Sequence, residues 1–185
     1  MREQGLGVEA FWEECRRRPI DPILRLLLTS DGTLVRLLQS LFLKPVRLSI
    51  QSQREVLIED PLSGWLGIPP GEKGIERKAW LIQDVKRVFA ISILPISQLK
   101  PDFYQELLLG QKPFGEIIRE KGLPTRRDRL EIYRLPQPEV AGALGLSESE
   151  LFWARRYRLT ISEQVSGAIF EVFSPFSSFL GGDKS

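Results

Sequence analysis

The sequence predicts an α+β domain in which an antiparallel sheet of about six strands is accompanied by helices. Three observations lead there. Runs with strand spacing come in pairs joined by short polar turns, as in hairpins. Short helical runs separate those pairs instead of alternating with single strands, which argues against a parallel sheet. The last strand-like run, Ser166 to Phe173, is apolar on both parities, the pattern of a strand covered on both faces. The expected organisation is a lead-in over residues 1–20, one domain over 21–175, and a flexible tail over 176–185.

The lead-in ends in R-R-R-P, Arg16 to Pro19, and reads as solvated or loosely docked. Asp21-Pro22 has the form of a helix start, an aspartate cap followed by proline at the first helical position, and I-L-R-L-L-L continues it. Ser30-Asp31-Gly32-Thr33 breaks this run and offers a second cap. Beyond it Leu34, Leu37, Leu38 and Leu41 share one helical face. From Pro45 the period changes to two: Val46, Leu48 and Ile50 alternate with Arg47, Ser49 and Gln51, and R-E-V-L-I extends the strand. The Gly- and Pro-rich stretch from Pro61 to Gly74 is expected to be a loop.

I-E-R-K-A-W-L-I and V-F-A-I-S-I-L then form a hairpin about Asp84 to Arg87. Pro101 to Leu109 is a helix closed by Gly110, and Lys112-Pro113-Phe114-Gly115 opens a short one that Gly122 ends. Leu130 to Leu135 is a strand, and A-G-A-L-G-L-S-E-S-E a short helix. Phe152 to Ile161 and Gln164 to Phe173 make a final hairpin about a tight polar turn.

Composition narrows the chemistry. The chain has 185 residues, 42% apolar and 27% charged, and a net charge of +2, an ordinary globular balance too weakly basic to imply nucleic acid. One cysteine, Cys15, rules out an internal disulfide framework and agrees with a reducing compartment. Without histidine, the usual zinc sites and Ser-His or Cys-His nucleophile pairs lose a required component. Metal ligation is therefore not expected, and catalysis would fall to carboxylates, arginines, lysines or backbone amides. The start M-R-E-Q-G-L-G lacks a basic end followed by an apolar run, and no apolar stretch approaches membrane-span length, so a cytoplasmic protein is expected.

Glu171 is the leading candidate residue. It lies in the covered final run, where an ionised carboxylate must be paired or face a polar cavity. An interior arginine would satisfy it without any function, and Arg156 and Arg158 across the hairpin are the expected partners in that case. Arg77 shares a parity with Ala79 and Leu81, opposite Lys78, Trp80 and Ile82, so its fork could reach the core and bind a carboxylate. Two helix starts offer unpaired amides for an anion: the D-G-T corner at Thr33, and Phe114-Gly115, where glycine lets an anion approach the backbone. The arginine groups at 16–18, 126–129 and 155–158 are expected on solvated faces or in internal pairs. The helices about D-G-T lack the basic second helix of a DNA-reading motif.

Taken in order, L-R-L-L-L-T-S-D-G-T-L-V-R-L-L, R-K-A-W-L with A-I-S-I-L-P, K-P-F-G-E-I-I, R-R-Y-R-L-T-I and I-F-E-V-F-S-P resemble the chorismate pyruvate-lyase family, most closely its cyanobacterial and plastid branch. The resemblance covers roughly residues 22–175. It implies a chorismate lyase-like fold and a cofactor-independent lyase that converts chorismate to 4-hydroxybenzoate and pyruvate for quinone, including plastoquinone, biosynthesis. It further implies a monomer with a small-molecule partner, without nucleic acid or membrane. By position, Arg77 corresponds to the family arginine on the ring carboxylate and Glu171 to the glutamate facing the departing enolpyruvyl oxygen. Phe114 and Gly115 stand in the family's backbone-amide turn, and Thr33 at a second backbone contributor. Phe114 replaces a smaller aliphatic residue, which would narrow the pocket, and the hairpin after Trp80 is short. The fold is shared with effector-sensing domains of bacterial transcription regulators, so a non-catalytic aromatic-acid sensor is the alternative.

Overall fold

The computed structural model describes residues 5–175; the expected tail over 176–185 lies outside the described residues. Six antiparallel strands run in the order β1-β2-β3-β6-β5-β4. They are β1 (Arg47–Ile58), β2 (Glu72–Ile82), β3 (Lys86–Pro95), β4 (Thr125–Pro136), β5 (Leu151–Ile161) and β6 (Val165–Phe173). Two three-stranded meanders thus meet at β3 and β6. The expected α+β class and strand count hold.

Among the described residues seven α-helices accompany the sheet: α1 (Val8–Arg17), α2 (Pro22–Thr29), α3 (Leu34–Phe42), α4 (Leu62–Leu66), α5 (Pro101–Leu109), α6 (Phe114–Glu120) and α7 (Pro138–Leu144). Asp21 caps α2 as its sequence suggests, its carboxylate accepting from the Ile23 amide at 2.7 Å and the Leu24 amide at 3.4 Å. Gly110 closes α5 at φ 65°, a left-handed position that glycine occupies without strain.

The helices leave a gap on one face of the sheet. Over one half, α1, α2 and α3 pack Phe11, Leu24, Leu27, Leu28, Leu34 and Leu38 against Leu81, Val88, Ile132 and Phe173. Over the other, α5 and α6 set Phe103, Leu107, Ile117 and Ile118 against Tyr157, Leu159 and Ile169. Between these lobes the sheet floor carries small residues. On that face Ala79 pairs with Ala90 and Arg77 with Ser92, so Ala79, Ala90 and Ser92 leave a hollow that larger side chains would fill. The opposite face is covered by α7, where Val140 and Ala141 meet Trp80, Phe89, Phe152 and Val172, and by α4.

Three expectations are corrected. The lead-in is not loosely docked: it forms α1, whose Phe11 is 0% exposed and meets Trp153 edge-on at 5.7 Å, while Leu6 bridges to Ile132 on the edge strand β4. Its charged residues lie on the outer side of an amphipathic turn whose inner side is Phe11 and Cys15. The stretch Pro61 to Gly74 is not all loop. Leu62, Trp65 and Leu66 have helical spacing, and Asp60 accepts from the Ser63 hydroxyl at 2.5 Å and the Gly64 amide at 3.2 Å, which starts α4; β2 then begins at Glu72. The fourth strand spans Thr125–Pro136, longer than Leu130 to Leu135, because an irregularity between Asp128 and Glu131, with Arg129 at φ 53°, interrupts its alternation without ending its pairing.

Candidate active site

The hollow is a cavity of about 270 Å³, and Thr33, Arg77, Phe114, Gly115 and Glu171 all line it. Its volume lies just below the roughly 300–1,000 Å³ of most ligand pockets, a size for a single-ring acid. Two grooves of about 680 Å³ are larger, one beside α1 and one on the far face. Their charged residues are paired or lie at the surface: Arg18 meets Glu14, Glu76 meets Arg54, Arg156 meets Glu131, Asp21 caps α2, and Arg134 is exposed beside the Trp153 ring. The smaller cavity is the one with buried charge, and we take it as the site.

Strand register explains how it is assembled. Glu171 sits opposite Ala90 on one side and Arg155 on the other; one row along, Ile169 sits opposite Ser92 and Tyr157. Arg77 lies opposite Ser92, so it occupies the same row two strands from Ile169. With strands about 4.8 Å apart and about 3.3 Å of rise per residue, the backbones of Arg77 and Glu171 stand about 12 Å apart across the floor.

Arg77 is 5% exposed. Its Nε donates to Gln53 Oε1 at 2.6 Å, one terminal nitrogen to the Lys112 carbonyl at 3.2 Å, and the other to the Leu107 carbonyl at the end of α5. All three partners are uncharged. Burial pushes its pKa below the usual guanidinium value, and no carboxylate among the described residues opposes that. An arriving carboxylate would supply the missing counter-charge.

Glu171, also 5% exposed, has its counter-charge already. Arg155 Nε donates to Glu171 Oε2 at 2.5 Å, and the Tyr157 hydroxyl donates to Oε1 at 3.2 Å. The expected structural partners Arg156 and Arg158 are elsewhere: on the other parity of β5 they pair with Glu131 and Asp128. Arg155 is the partner of Glu171 that sequence reasoning missed. It is 0% exposed and its Nη1 donates to the carbonyls of Leu27 at 2.6 Å and Ser30 at 2.8 Å, tying the end of α2 to the carboxylate. Burial opposes its charge, and the adjoining Glu171 carboxylate overrides that and holds its pKa up. Burial, and then Glu171, raise the Tyr157 pKa, so this phenol stays protonated and remains a donor.

The two helix starts converge above the floor. Thr33 caps α3 without a side-chain hydrogen bond, so the amides of Leu34 and Val35, both cavity-lining, have no intrahelical acceptor. Pro113 precedes α6, whose first amides belong to Phe114 and Gly115. A Cβ on Gly115 would stand 3.4 Å from Thr33 Cγ2, at van der Waals contact, so the two corners lie side by side. Phe114 lines the hollow, and its ring packs edge-on against Phe103 at 5.8 Å. Among the described residues no cluster of three or more His, Cys, Asp or Glu side chains could hold a metal ion, and no helix is long and apolar enough to cross a membrane.

Fold and cavity define a class, an α+β domain built round a pocket of small-ligand size. Solved structures of the same fold include PhnF from Mycobacterium smegmatis, at 13% identity over 94% of this chain and 88% of that one, TM-score 0.62. The PhnF effector domain from the same organism matches at 16% identity over 77% and 88%, TM-score 0.61, and a GntR-family transcriptional regulator from Bacillus cereus at 13% over 70% and 92%, TM-score 0.57. At these identities the likeness establishes the fold alone. No curated protein sequence matches. The chain belongs to the Rv2949c-like chorismate pyruvate-lyase family, which matches residues 28–180.

Proposed function

We propose that the protein is a cofactor-independent chorismate pyruvate-lyase, acting as a monomer in the cytoplasm and placed in the cyanobacterial and plastid branch, where its product feeds quinone synthesis. The observation that carries this reading is that an enclosed carboxylate and a buried guanidinium without a counter-ion face one hollow of single-ring size. Arg77, with the amides of Phe114 and Gly115, takes the ring carboxylate, and the amides after Thr33 help hold the ligand.

Glu171 stands where the ether oxygen lies. The bond between ring carbon and enolpyruvyl oxygen breaks with its electron pair on oxygen, a hydrogen leaves the hydroxyl-bearing ring carbon as a proton, and the released enolate takes up one proton at carbon to become pyruvate. Aromatisation drives the step, so orientation and charge placement carry most of the catalysis. Incubation with chorismate should release 4-hydroxybenzoate and pyruvate in equal amounts. Glu171→Gln and Arg77→Ala should each lower kcat/KM by about a hundredfold or more with the fold retained by circular dichroism. Folded wild-type protein without turnover would remove the enzyme, and near-normal variants would make the two residues structural. Likeness to regulator domains favours one second reading, a sensor that binds 4-hydroxybenzoate without transforming chorismate; tight product binding with no pyruvate release would identify it.

A further inference from the structure

The cavity holds a second cation that the reaction scheme above does not use. Arg127, on β4, belongs to the arginines whose sequence suggests solvated faces or internal pairs, and its neighbours follow that pattern: Arg126 and Arg158 share Asp128. Arg127 instead turns inward and lines the cavity. Its Nη1 donates to the Asp31 carbonyl at 2.7 Å, at the D-G-T corner, and its guanidinium lies 5.8 Å from the centre of the Tyr157 ring. Its Nε is buried without a hydrogen-bond partner, and no carboxylate among the described residues lies within ion-pair distance of it. A buried donor left open, on a cation with no counter-ion, is costly unless a ligand completes it.

Charge makes the same point. The charged lining residues are Arg77, Arg119, Arg127 and Glu171. Glu171 is neutralised by Arg155 and Arg119 lies 3.7 Å from Glu116, which leaves Arg77 and Arg127, from β2 and β4, as two uncompensated positive charges on either side of the carboxylate.

We propose that Arg127 is the second anion-binding residue of this cavity, holding the carboxylate of the ligand's three-carbon side chain and making the site selective for a dianion over a singly charged ring acid. The proposal rests on the reading of the cavity as a chorismate site and adds to it the source of discrimination between substrate and product. After cleavage the product retains a single carboxylate, on Arg77, so the interaction at Arg127 ends with the departure of pyruvate and product retention weakens.

The test is calorimetric binding to the purified full chain of two unreactive probes, dianionic 4-(carboxymethoxy)benzoate and monoanionic 4-hydroxybenzoate. Arg127→Gln should weaken the dianion about tenfold to a hundredfold and change the monoanion less than about twofold. Arg127→Lys should fall between, with a steeper loss in salt, because it keeps the charge without the fork. Equal losses for both probes, the result expected if Arg127 only anchors the corner through Asp31, would overturn the proposal, as would no loss for either. If Arg127→Gln does not fold, Arg127→Lys decides by the same comparison. Wild-type protein that prefers the dianion but releases no pyruvate from chorismate would sink the lyase and leave this inference standing; wild-type protein that binds neither probe would sink both.

Discussion

Replacing Arg155 by methionine isolates what the buried pair contributes. The substitution keeps much of the side-chain volume but removes the Nε donor to Glu171 and the Nη1 donor to Leu27 and Ser30. Breaking a buried ion pair by deleting one partner costs about 3–5 kcal/mol, mostly because the surviving charge is uncompensated. For a chain of this length each kcal/mol lowers Tm by about 2–4 °C, so Arg155→Met should melt about 6–20 °C below wild type. Adding Glu171→Gln removes the orphaned charge and leaves the two carbonyls short of a donor, at about 1 kcal/mol each. The double variant should therefore regain about half the loss, down to a residual of about 2 kcal/mol. Urea unfolding followed by tryptophan fluorescence, alongside thermal melts, measures both. A single variant within about 1 kcal/mol of wild type, or a double variant no more stable than the single, would refute the assignment of Glu171's counter-charge to Arg155.

Three further outcomes follow from the same geometry. The Arg158 guanidinium, hydrogen-bonded to Asp128 at 2.7 and 2.8 Å, holds that carboxyl below its usual pKa. A depressed carboxylate contributes stability in full above its unfolded pKa of about 3.9 and loses it as pH falls through the folded value, so Asp128→Asn should be less stable at neutral pH by about 1 kcal/mol or less, and urea midpoints should converge with wild type in strong acid. Gly167→Ala drives a methyl into Leu94 Cδ2 and within 3.1 Å of the Ile93 carbonyl, and should cost about 1–3 kcal/mol by urea midpoint; a neutral result would mean that β3 and β6 can separate there. Phe114→Leu should lower stability by about 1 kcal/mol through lost contact with Phe103 while turnover changes less than about threefold; a large kinetic effect in steady-state assay would place the ring against the substrate.

Much of this could be deduced from residue order because strand alternation is local. The parity of Arg77 with Ala79 and Leu81 alone places that arginine on the pocket face, and the double-sided apolarity of the last strand alone places Glu171 indoors. Arg155 escaped because its identity as partner depends on one turn. A two-residue turn between Ile161 and Gln164 sets Glu171 opposite Ala154, with Arg156 as the nearest arginine on that face. The actual register pairs Ile161 with Val165, a three-residue loop, and brings Arg155 opposite instead. One residue of slip exchanges the faces of a strand, and a polar turn rich in Ser, Glu and Gln gives no strong preference for either length. Residues Arg127 and Phe11 escaped for another reason: each is buried by elements distant in sequence, the D-G-T corner for one and β4 and β5 for the other. A charged helix with one phenylalanine looks solvated until something is known to lie beneath it.

The guanidiniums of Arg77 and Arg155 each hold a helix end, one through the Leu107 carbonyl in the last turn of α5 and the Lys112 carbonyl beyond it, the other through the carbonyls of Leu27 and Ser30 at the end of α2. In Arg77 a group that lines the cavity also anchors a lobe, and in Arg155 the anchor of α2 is the counter-charge of a cavity-lining carboxylate, which restricts how the protein can diverge. A lineage drifting toward a new ligand pays for any exchange of these arginines in foldedness before affinity can be selected. Innovation is channelled to positions such as Leu48, Val35 and Ser92, which shape the hollow and carry no charge. Electrostatic character is inherited, and shape is what remains free to vary.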